Sequence, residues 1–303
     1  MKISEMQIKR KNTSGTAEEI AFHRVIESAK AEEERICYDP YAIYFIGPEL
    51  LKFFEATACN YPEAKARLKE MYRLFPGTQN SIVARVRYFD DYLQDSMAEG
   101  IKQLVILGAG YDTRAYRIEG LKEKVKVFEV DYPIIQKVKM EKIKEIFGSL
   151  PGHVVFVNAD VGSEELFKSL LEQGYNPSER TLFIMEGLIY YIPPEGVENL
   201  LSSIVQNSGP GSRIIFDYFP QSMVDGTCEL EVGNLIHERV KQSGEPFKFG
   251  ITDGTIEEFL KERGFSHIQN VTSEDYKKAY FYGKNENREV CSLYSFVHAM
   301  VEY

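Results

Sequence analysis

The stretch Leu104-Val-Ile-Leu107-Gly108-Ala109-Gly110 decides the fold, because an uninterrupted apolar run ends there in a pair of glycines. Four apolar residues without polar alternation predict a short strand buried on both faces, as in a parallel sheet. Glycines directly after such a strand permit a tight turn, a close approach of the backbone to a ligand and a helix that begins beside it. A tight turn without a ligand is the alternative that this pattern leaves open.

Four more apolar runs lie downstream, and a helical segment follows most of them: 125–130, 154–157, 181–185 and 212–216. Five strands that alternate with helices predict a doubly wound, mainly parallel sheet. The crossovers between parallel strands are expected to be right-handed. Because the strands run in the same direction, their carboxyl ends share one rim, where ligands bind. The residues expected at that rim are Gly108, Asp131, Asp160, Glu186 and Asp217.

The flanking segments extend this α/β core to a seven-stranded sheet. Residues 1–100 predict an N-terminal helical cap packed on a core of residues 101–303. The irregular stretch at about 219–250 predicts a small helical lid, inserted after the fifth strand. Residues 267–272 and 293–302 are rich in β-forming residues, and they predict an antiparallel pair at the sheet edge with a polar loop between its strands.

Three local patterns concern helices. Thr16 followed by Glu19 predicts a capping box at a helix start. The lysine-rich run 137–145 predicts a solvated helix face with i,i+4 charge pairs. A further helix is expected over 252–263, ended by Gly264.

Composition and charge exclude several classes of protein. The chain of 303 residues has 46 acidic and 36 basic side chains, a formal net charge of −10, so a nucleic-acid partner is not expected. No apolar run reaches the length of about 18 residues that a transmembrane helix needs, so no membrane partner is expected. Residues 1–12 are polar and lack the apolar core of a secretory signal.

Cysteine and histidine usage predicts a reduced, cytoplasmic protein without a metal. The four cysteines form no CxxC pair, and the five histidines show no metal-ligand spacing. Cys228 and His237 are each interpreted as packing or surface residues rather than as a nucleophile and a base. The chain has no Trp but 19 Tyr and 19 Phe, which can serve as core packing or as pocket lining.

The acids at the strand ends suggest a ligand that contains a nucleoside. Asp131, 21 residues beyond Gly110, can accept two hydrogen bonds from a ribose diol, as in NAD or S-adenosylmethionine (SAM). Asp160 and Val161 offer an adenine an acceptor and an apolar contact. A solvated loop acid at Asp131 and a helix cap at Asp160 remain the alternatives. Glu186 is costly to bury without a partner, and the amino group of SAM would satisfy it.

Three blocks of sequence resemble the leucine carboxyl methyltransferase-like family of class I SAM-dependent methyltransferases. They are Leu107-Gly-Ala-Gly-Tyr-Asp-Thr-Arg-Ala-Tyr-Arg-Ile118, Phe128-Glu-Val-Asp131-Tyr-Pro133 and Glu186-Gly-Leu-Ile-Tyr-Tyr-Ile192. The resemblance extends to Asp39-Pro-Tyr41, to Ala84-Arg85-Val86 and to the C-terminal tail, so it covers nearly the whole chain. It implies a Rossmann-like methyltransferase fold with SAM as the cofactor and S-adenosylhomocysteine as its product.

The resemblance also implies a set of cofactor-binding residues. Gly108, with Ala109 and Gly110, lies under the methionine part, Asp131 binds the ribose, and Asp160 and Val161 contact the adenine. Glu186 lies near the methionine part. Arg85 is similar to the arginine that binds the cofactor carboxylate, a task that suits the bidentate guanidinium. Arg87 competes for this role, a solvated helix position is the alternative for Arg85, and Arg24 corresponds to a basic N-terminal residue.

These features predict a SAM-dependent O-methyltransferase that acts on a carboxylate or hydroxyl oxygen of a small molecule or a peptide end. Methyl transfer from a sulfonium is an in-line displacement that needs no metal, and no catalytic residue is assigned. Tyr190, Tyr191 and Tyr218 are expected to line the acceptor pocket. The alternatives are an NAD(P)-dependent oxidoreductase, disfavoured by Thr113 where a dinucleotide fingerprint has its third glycine, and a non-catalytic SAM-binding protein.

Overall fold

The centre of the molecule is a seven-stranded mixed sheet, seen in a computed structural model that describes residues 15–302. Its strands are β1 (Gln103–Leu107), β2 (Lys126–Asp131), β3 (Val154–Asn158), β4 (Thr181–Met185), β5 (Arg213–Tyr218), β6 (Phe265–Val271) and β7 (Ser295–Val301). Their order is β3-β2-β1-β4-β5-β7-β6. The first five strands pair in parallel, and β7 pairs antiparallel with both β5 and β6. The predicted sheet, including its antiparallel edge, is confirmed.

Strand β1 lies between β2 and β4, and from it the order of the strands runs outward to both sides of the sheet. Val105 lies opposite Phe128 of β2 and Phe183 of β4, and all three side chains are completely buried. The chain runs outward through β2 and β3 on one side and through β4 and β5 on the other. The crevice outside the carboxyl ends of β1 and β4 is therefore the topological switch point, where open α/β sheets bind ligands.

Helices lie before the sheet and between its strands. They are α1 (Gly15–Ser28), α2 (Pro48–Ala58), α3 (Pro62–Leu74), α4 (Thr78–Ala98), α5 (Arg114–Arg117), α6 (Leu121–Lys124), α7 (Pro133–Phe147), α8 (Leu166–Glu172), α9 (Pro194–Gln206), α10 (Gln221–Asp225), α11 (Glu231–Ser243), α12 (Ile256–Lys261) and α13 (Ser273–Tyr280). Short 3₁₀ turns cover Ala42–Phe45, Ile189–Tyr191 and Gly283–Asn285. Among the described residues, no helix is both long and apolar enough to cross a membrane.

Prolines and a glycine mark where three of the N-terminal helices begin. Pro48 and Pro62 occupy the first turns of α2 and α3, where the missing N–H costs no hydrogen bond. Gly77 precedes α4 with a positive φ of 71°, and a Cβ there would overlap the backbone of Val290 and Cys291. Only glycine meets both conditions, so this position fixes the entry of α4 against the C-terminal segment.

Helix α4 packs on the sheet along one apolar stripe. Its residues Ile82, Val83, Val86, Phe89 and Leu93 are buried in the same core cluster as the central strands. A smaller cluster joins the other N-terminal elements to this core: Phe22 and Val25 of α1 and Phe45 of the first 3₁₀ turn pack with Tyr111 and Ile143. The N-terminal helices therefore share apolar contacts with the α/β unit.

Three expectations about helices are corrected. Thr16 and Glu19 do not form a capping box, because Thr16 lies inside α1 and its hydroxyl donates to Glu245, while Glu19 pairs with Arg239 at 2.7 Å. The segment expected to be a polar loop between β6 and β7 contains α13, and a capping box does form there between Thr272 and Asp275. The helix expected over 252–263 is shorter, spanning Ile256–Lys261.

The lid expected at about 219–250 contains α10 and α11. Its far end returns to the sheet, because the N–H of Lys248 donates to the carbonyl of Tyr190 at 2.8 Å and the N–H of Ile251 donates to Phe219 at 3.0 Å. Its helix α11 contacts α1 through Arg239 and Glu19. The lid thus connects the rim of the sheet to the first described helix.

Candidate functional site

The turn after β1 brings the backbone to the carboxyl rim. Gly108 and Gly110 have positive φ angles of 63° and 40°, the left-handed region that glycine adopts without strain. A Cβ on Gly108 would lie 2.8 Å from Cδ1 of Leu188, which follows β4. The N–H of Ala109 donates to the carbonyl of Val130 at 2.9 Å. The turn is therefore held between the ends of β2 and β4.

Asp131 ends β2 beside this turn. Its Oδ2 accepts a hydrogen bond from the N–H of Gly110 at 2.6 Å, and its Oδ1 accepts one from the N–H of Tyr132 at 2.7 Å. Burial raises the pKa of Asp131, while these two backbone donors oppose the shift. Each carboxylate oxygen can accept a second hydrogen bond, so a diol fits the chemistry of this acid.

Asp160 and Val161 follow β3 on the same rim. Val161 is buried, whereas Asp160 is exposed and its Oδ1 accepts the N–H of Gly162 at 3.0 Å. Helix α8 has Glu165 at its N-cap position, so Asp160 does not cap it. An acceptor beside an apolar side chain is the combination that an adenine ring requires.

Arg85 reaches the rim from α4 and joins two acids there. Its Nε donates to Oε1 of Glu186 at 3.1 Å and its Nη1 to Oδ2 of Asp217 at 2.6 Å. Arg85 is 1% exposed, so this guanidinium is a buried cation held between two carboxylates. Asp217 also accepts the N–H of Gly187 at 2.6 Å and the hydroxyl of Tyr190 at 3.3 Å.

Arg114 forms a second cationic centre that the sequence did not single out as a site residue. Its guanidinium pairs with Glu186 at 2.6 Å, with Asp90 at 2.7 Å and with Asp112. Burial alone would raise the pKa of Asp112, but Arg114 and Lys139 outweigh it and lower the pKa to about 2. Burial likewise opposes ionisation of Glu186, and Arg114 and Arg85 lower its pKa. The sequence feature that could have indicated Arg114 as a site residue is its position in Asp112-Thr113-Arg114, directly after the glycine turn.

The other two arginines lie in different places. Arg24 is buried, pairs with Asp39 at 3.0 Å and donates from Nη2 to the carbonyl of Tyr111 at 2.7 Å. It therefore supports the glycine turn from α1. Arg87 is half exposed, pairs with Asp91 at 2.8 Å and lies over the ring of Tyr280. The structure brings Arg85, but not Arg87, to Glu186.

Aromatic side chains cover the space beside Asp217. These side chains, which we call the aromatic cluster, come from the segment after β4, from the lid and from the C-terminal segment. They are Tyr190, Tyr191, Phe219, Phe247 and Tyr294. Ring centroids in this aromatic cluster lie between 4.7 and 5.6 Å apart. Phe219, Phe247 and Tyr294 were not foreseen from the sequence; Phe247 lies in the segment expected to be a lid, and Tyr294 directly precedes β7.

Tyr218, expected in the same pocket, lies elsewhere. Its hydroxyl donates to Oδ1 of Asn270 on β6 at 2.9 Å, so its side chain is directed along the sheet edge. The reason is alternation: Tyr218 follows Asp217 on β5, and successive strand residues point to opposite faces. Tyr190 and Tyr191 do join the aromatic cluster.

Helix α1 contributes one uncharged polar side chain near the rim. His23 is 6% exposed, and burial lowers its pKa to about 4, so it is neutral at pH 7. Within residues 15–302, its Nδ1 has no hydrogen-bond partner. The described part of the chain contains no group of three or more His, Cys, Asp or Glu side chains that could hold a metal ion.

Comparisons with known proteins found a family and individual relatives that match this chain. The family described as Leucine carboxyl methyltransferase matches residues 17–205. YktD of Bacillus subtilis (strain 168), whose name assigns it to the S-adenosyl-L-methionine-dependent methyltransferases, is 32% identical over 223 residues, or 72% of this chain and 71% of YktD. A Mycobacteroides abscessus protein with the same assignment is 30% identical over 283 residues, 88% of each chain.

Solved structures show the same fold at low sequence identity. A DUF574 family protein from Streptomyces avermitilis superposes with a TM-score of 0.58 at 15% identity, covering 80% of this chain and 91% of that one. A protein of Thermobifida fusca described as a methyltransferase gives a TM-score of 0.56 at 14% identity, covering 80% and 90%. These likenesses identify the fold alone.

Proposed function

The chain belongs to the leucine carboxyl methyltransferase family of SAM-dependent methyltransferases, and we propose that its methyl acceptor is a carboxylate oxygen of a small molecule or a peptide end. For the carboxylate acceptor, the supporting observation is the match of residues 17–205 to the family described as Leucine carboxyl methyltransferase. For the cofactor, it is the buried contact of Arg85 with Glu186 at 3.1 Å, between the glycine turn and the aromatic cluster. A cation and an anion at this distance match the carboxylate and the ammonium of an amino-acid group, as in the methionine part of SAM.

In this proposal, different residues of the rim bind different parts of the cofactor. Asp131 binds the ribose diol, and Asp160 and Val161 contact the adenine. The turn formed by Gly108, Ala109 and Gly110 lies under the methionine part. The observation that supports the ribose assignment is that both Asp131 oxygens keep acceptor capacity beyond their backbone donors.

The charged groups at the amino-acid end complete the assignment. Arg85 takes the carboxylate and Glu186 takes the ammonium. Arg24 acts through the Tyr111 carbonyl, which it holds at 2.7 Å. Bound SAM supplies a sulfonium methyl group that is electrophilic without a metal.

The site acts on the acceptor by placement. A carboxylate acceptor is ionised at pH 7, so it attacks without a general base. Arg114 and Arg85 lower the pKa of Glu186, which makes it a poor proton acceptor. Burial raises the pKa of Asp217, but its oxygens already accept hydrogen bonds from Arg85, from the N–H of Gly187 and from the hydroxyl of Tyr190. Alignment of the acceptor with the methyl group can supply about 7–11 kcal/mol of the barrier. The rings of the aromatic cluster exclude water from the reacting atoms.

The domain organisation follows from the same proposal. We assign residues 1–100 to a cap and residues 101–303 to the SAM-binding core, with the lid at about 219–250. The contacts of Thr16 with Glu245 and of Glu19 with Arg239 support this assignment, because they join α1 to the lid over Tyr191. Together the cap and the lid enclose the acceptor.

Binding of S-adenosylhomocysteine and of NAD, measured by calorimetry, tests the cofactor assignment. We expect the wild-type protein to bind S-adenosylhomocysteine and not NAD. Binding of NAD alone would instead indicate the oxidoreductase that the sequence left as an alternative.

Transfer of a labelled methyl group tests the acceptor. The protein is incubated with methyl-labelled SAM and two libraries, one of carboxylic acids and peptides and one of phenols and alcohols. Methyl esters release labelled methanol in mild alkali, whereas methyl ethers do not. We expect alkali-labile product from the carboxylate library. Alkali-stable product would assign a hydroxyl acceptor, and the absence of product from both libraries would favour a non-catalytic SAM-binding protein.

A further inference from the structure

Lys139 on α7 is buried, contrary to the expectation that the lysine-rich run 137–145 is a solvated helix face. Its side chain is 1% exposed, while Lys137 and Lys144 of the same helix are exposed. A buried ammonium is stable only when charged or polar groups surround it, so the contacts of Lys139 indicate what it does.

The ammonium of Lys139 contacts one acid and one backbone carbonyl. Its Nζ lies 2.8 Å from Oε2 of Glu129, which is completely buried on β2. The same Nζ donates to the carbonyl of Ala109 at 3.3 Å. This carbonyl also accepts the N–H of Asp112 at 2.8 Å. Lys139 therefore connects β2 to the turn between the two glycines.

The next residue of that turn is held by β2 directly. The N–H of Gly110 donates to Asp131 at 2.6 Å. Glu129 and Asp131 are two residues apart on β2, so their side chains leave the same face of the strand. One face of β2 thus fixes two consecutive residues of the turn. Asp131 holds Gly110 directly, and Glu129 holds Ala109 by way of Lys139.

Other charged and titratable groups around Glu129 come from the segment after β1. Tyr116 of α5 and Asp112 face it from there, and Lys139 faces it from α7. The ring of Tyr116 lies 5.9 Å from Nζ of Lys139. Burial raises the pKa of Glu129 to about 7, although Lys139 opposes this shift. The charge of Glu129 therefore changes within an accessible pH range.

We propose that Lys139, oriented by Glu129, is a positioning residue for SAM: it fixes the Ala109 carbonyl so that the turn and Asp131 keep the geometry that binds the cofactor. The inference rests on the proposed function, because it presumes that this turn lies under the methionine part of SAM. It assigns Glu129 and Lys139 no contact with the cofactor itself.

A double variant, Glu129→Gln with Lys139→Met, tests the proposal. It removes both charges together, so neither is left buried without a partner. We expect the dissociation constant for S-adenosylhomocysteine and the KM for SAM to rise about tenfold, the equivalent of one lost charge-assisted hydrogen bond, with kcat unchanged. The control is Glu27→Gln with Arg288→Met, which removes an ion pair between a buried acid and a half-buried arginine, 2.8 Å apart, and should leave both constants unchanged.

The single variant Glu129→Gln provides a second measurement if the double variant does not fold. In the wild-type protein, protonation of Glu129 weakens its hold on Lys139, so affinity for S-adenosylhomocysteine should fall between pH 8 and pH 6. Affinity of the variant should not change over this range, because its amide does not titrate.

The outcomes separate the two proposals. A wild-type protein that does not bind S-adenosylhomocysteine overturns the proposed function and this inference with it. Wild-type binding that the double variant retains in full, or wild-type affinity that is the same at pH 8 and pH 6, overturns the positioning role alone.

Discussion

Arg85 determines the charge balance of the rim because it is the buried cation shared by Glu186 and Asp217. A guanidinium can bond two carboxylates in different directions at once, whereas an ammonium acts as a point charge. Arg87, two residues further along α4, has the same chemistry but pairs with Asp91 at the surface. The role of an arginine in this helix thus depends on the helix face that presents it.

Arg85→Lys should therefore not be neutral. We expect about tenfold weaker binding of S-adenosylhomocysteine and a lower melting temperature, because the single nitrogen of lysine cannot reproduce the separate contacts of Nε with Glu186 and of Nη1 with Asp217. Calorimetry and thermal unfolding measure the two effects. Arg87→Lys on the same helix is the matched control, and equal effects of the two substitutions would remove Arg85 from the site.

Asp131→Ala should weaken binding of S-adenosylhomocysteine by at least about tenfold. The substitution deletes an acceptor whose hydrogen bonds to a ribose diol contribute about 1.5–3 kcal/mol each. A titration against Glu141→Ala, an exposed acid of α7, controls for the change of net charge. Unchanged affinity in Asp131→Ala would assign the ribose to another residue.

His23 should make the stability of the protein depend on pH. Its pKa is lowered by burial from 6.5 to about 4, so the unfolded chain binds a proton that the folded chain does not. The resulting stabilisation is complete above pH 6.5 and is lost as the pH falls towards 4. Through this group, the free energy of unfolding should fall by about 2 kcal/mol when the pH is lowered from 7 to 5.

Urea unfolding of the wild-type protein and His23→Gln at these two pH values measures this contribution. The variant should lose less stability on acidification, whereas the exposed His267→Gln should behave like the wild type. Equal losses in all three proteins would place the pH dependence in other groups.

The acids at the strand ends could be predicted from the sequence more completely than the residues that contact them. Asp131, Asp160 and Glu186 each follow an apolar run, so their position on the rim follows from the parallel topology alone. The partners depend on long-range packing: Arg85 and Asp217 are separated by 132 residues, and Phe247 and Tyr294 reach the rim from a lid and a loop. Periodicity and spacing do not report such contacts.

At the scale of elements, α4 has a double role. Its apolar stripe packs in the main core, while Arg85 extends from it to the rim. The helix could be predicted because its apolar residues recur at helical spacing over several turns. Helix α13 could not, because its eight residues are mostly polar and only Tyr276 among them is buried.

The capping box of α13 should contribute measurably to stability. Thr272→Ala removes the side chain that accepts the backbone N–H of Asp275, and we expect a loss of about 1 kcal/mol in the unfolding free energy. Thr255→Ala is a suitable control, because Thr255 has the N-cap position of α12 without a side-chain capping bond. A loss in Thr272→Ala no larger than in this control would contradict the prediction.

At the scale of the whole molecule, the proposed cap packs on the proposed core through apolar side chains. Tyr111 follows β1 but packs with Phe45 at 5.1 Å between ring centroids, and Tyr41 of the N-terminal segment contacts Phe147 of α7 at 5.0 Å. The rings of Phe45 and Tyr111 are buried, so these surfaces do not separate without exposing that pair to water. The cap and the core are therefore expected to fold as one unit.

Cooperative unfolding tests this expectation. The chain has no tryptophan, so a Tyr41→Trp variant gives a fluorescence signal from the boundary between cap and core. We expect its urea transition to coincide with the loss of far-UV circular dichroism. S-adenosylhomocysteine at about 100 times its dissociation constant should raise the unfolding free energy by about 2.7 kcal/mol by both probes. Separate midpoints would show two folding units.

The position of β7 constrains how the chain can fold during its synthesis. β7 lies between β5 and β6 in the sheet but follows both in the sequence. Because a ribosome delivers the N-terminal part first, β6 emerges before the strand that will pair with it, and the outer edge of β5 stays open during that time. A nascent chain that has not yet reached Ser295 exposes that edge, and an unpaired edge strand is a site where another chain can pair.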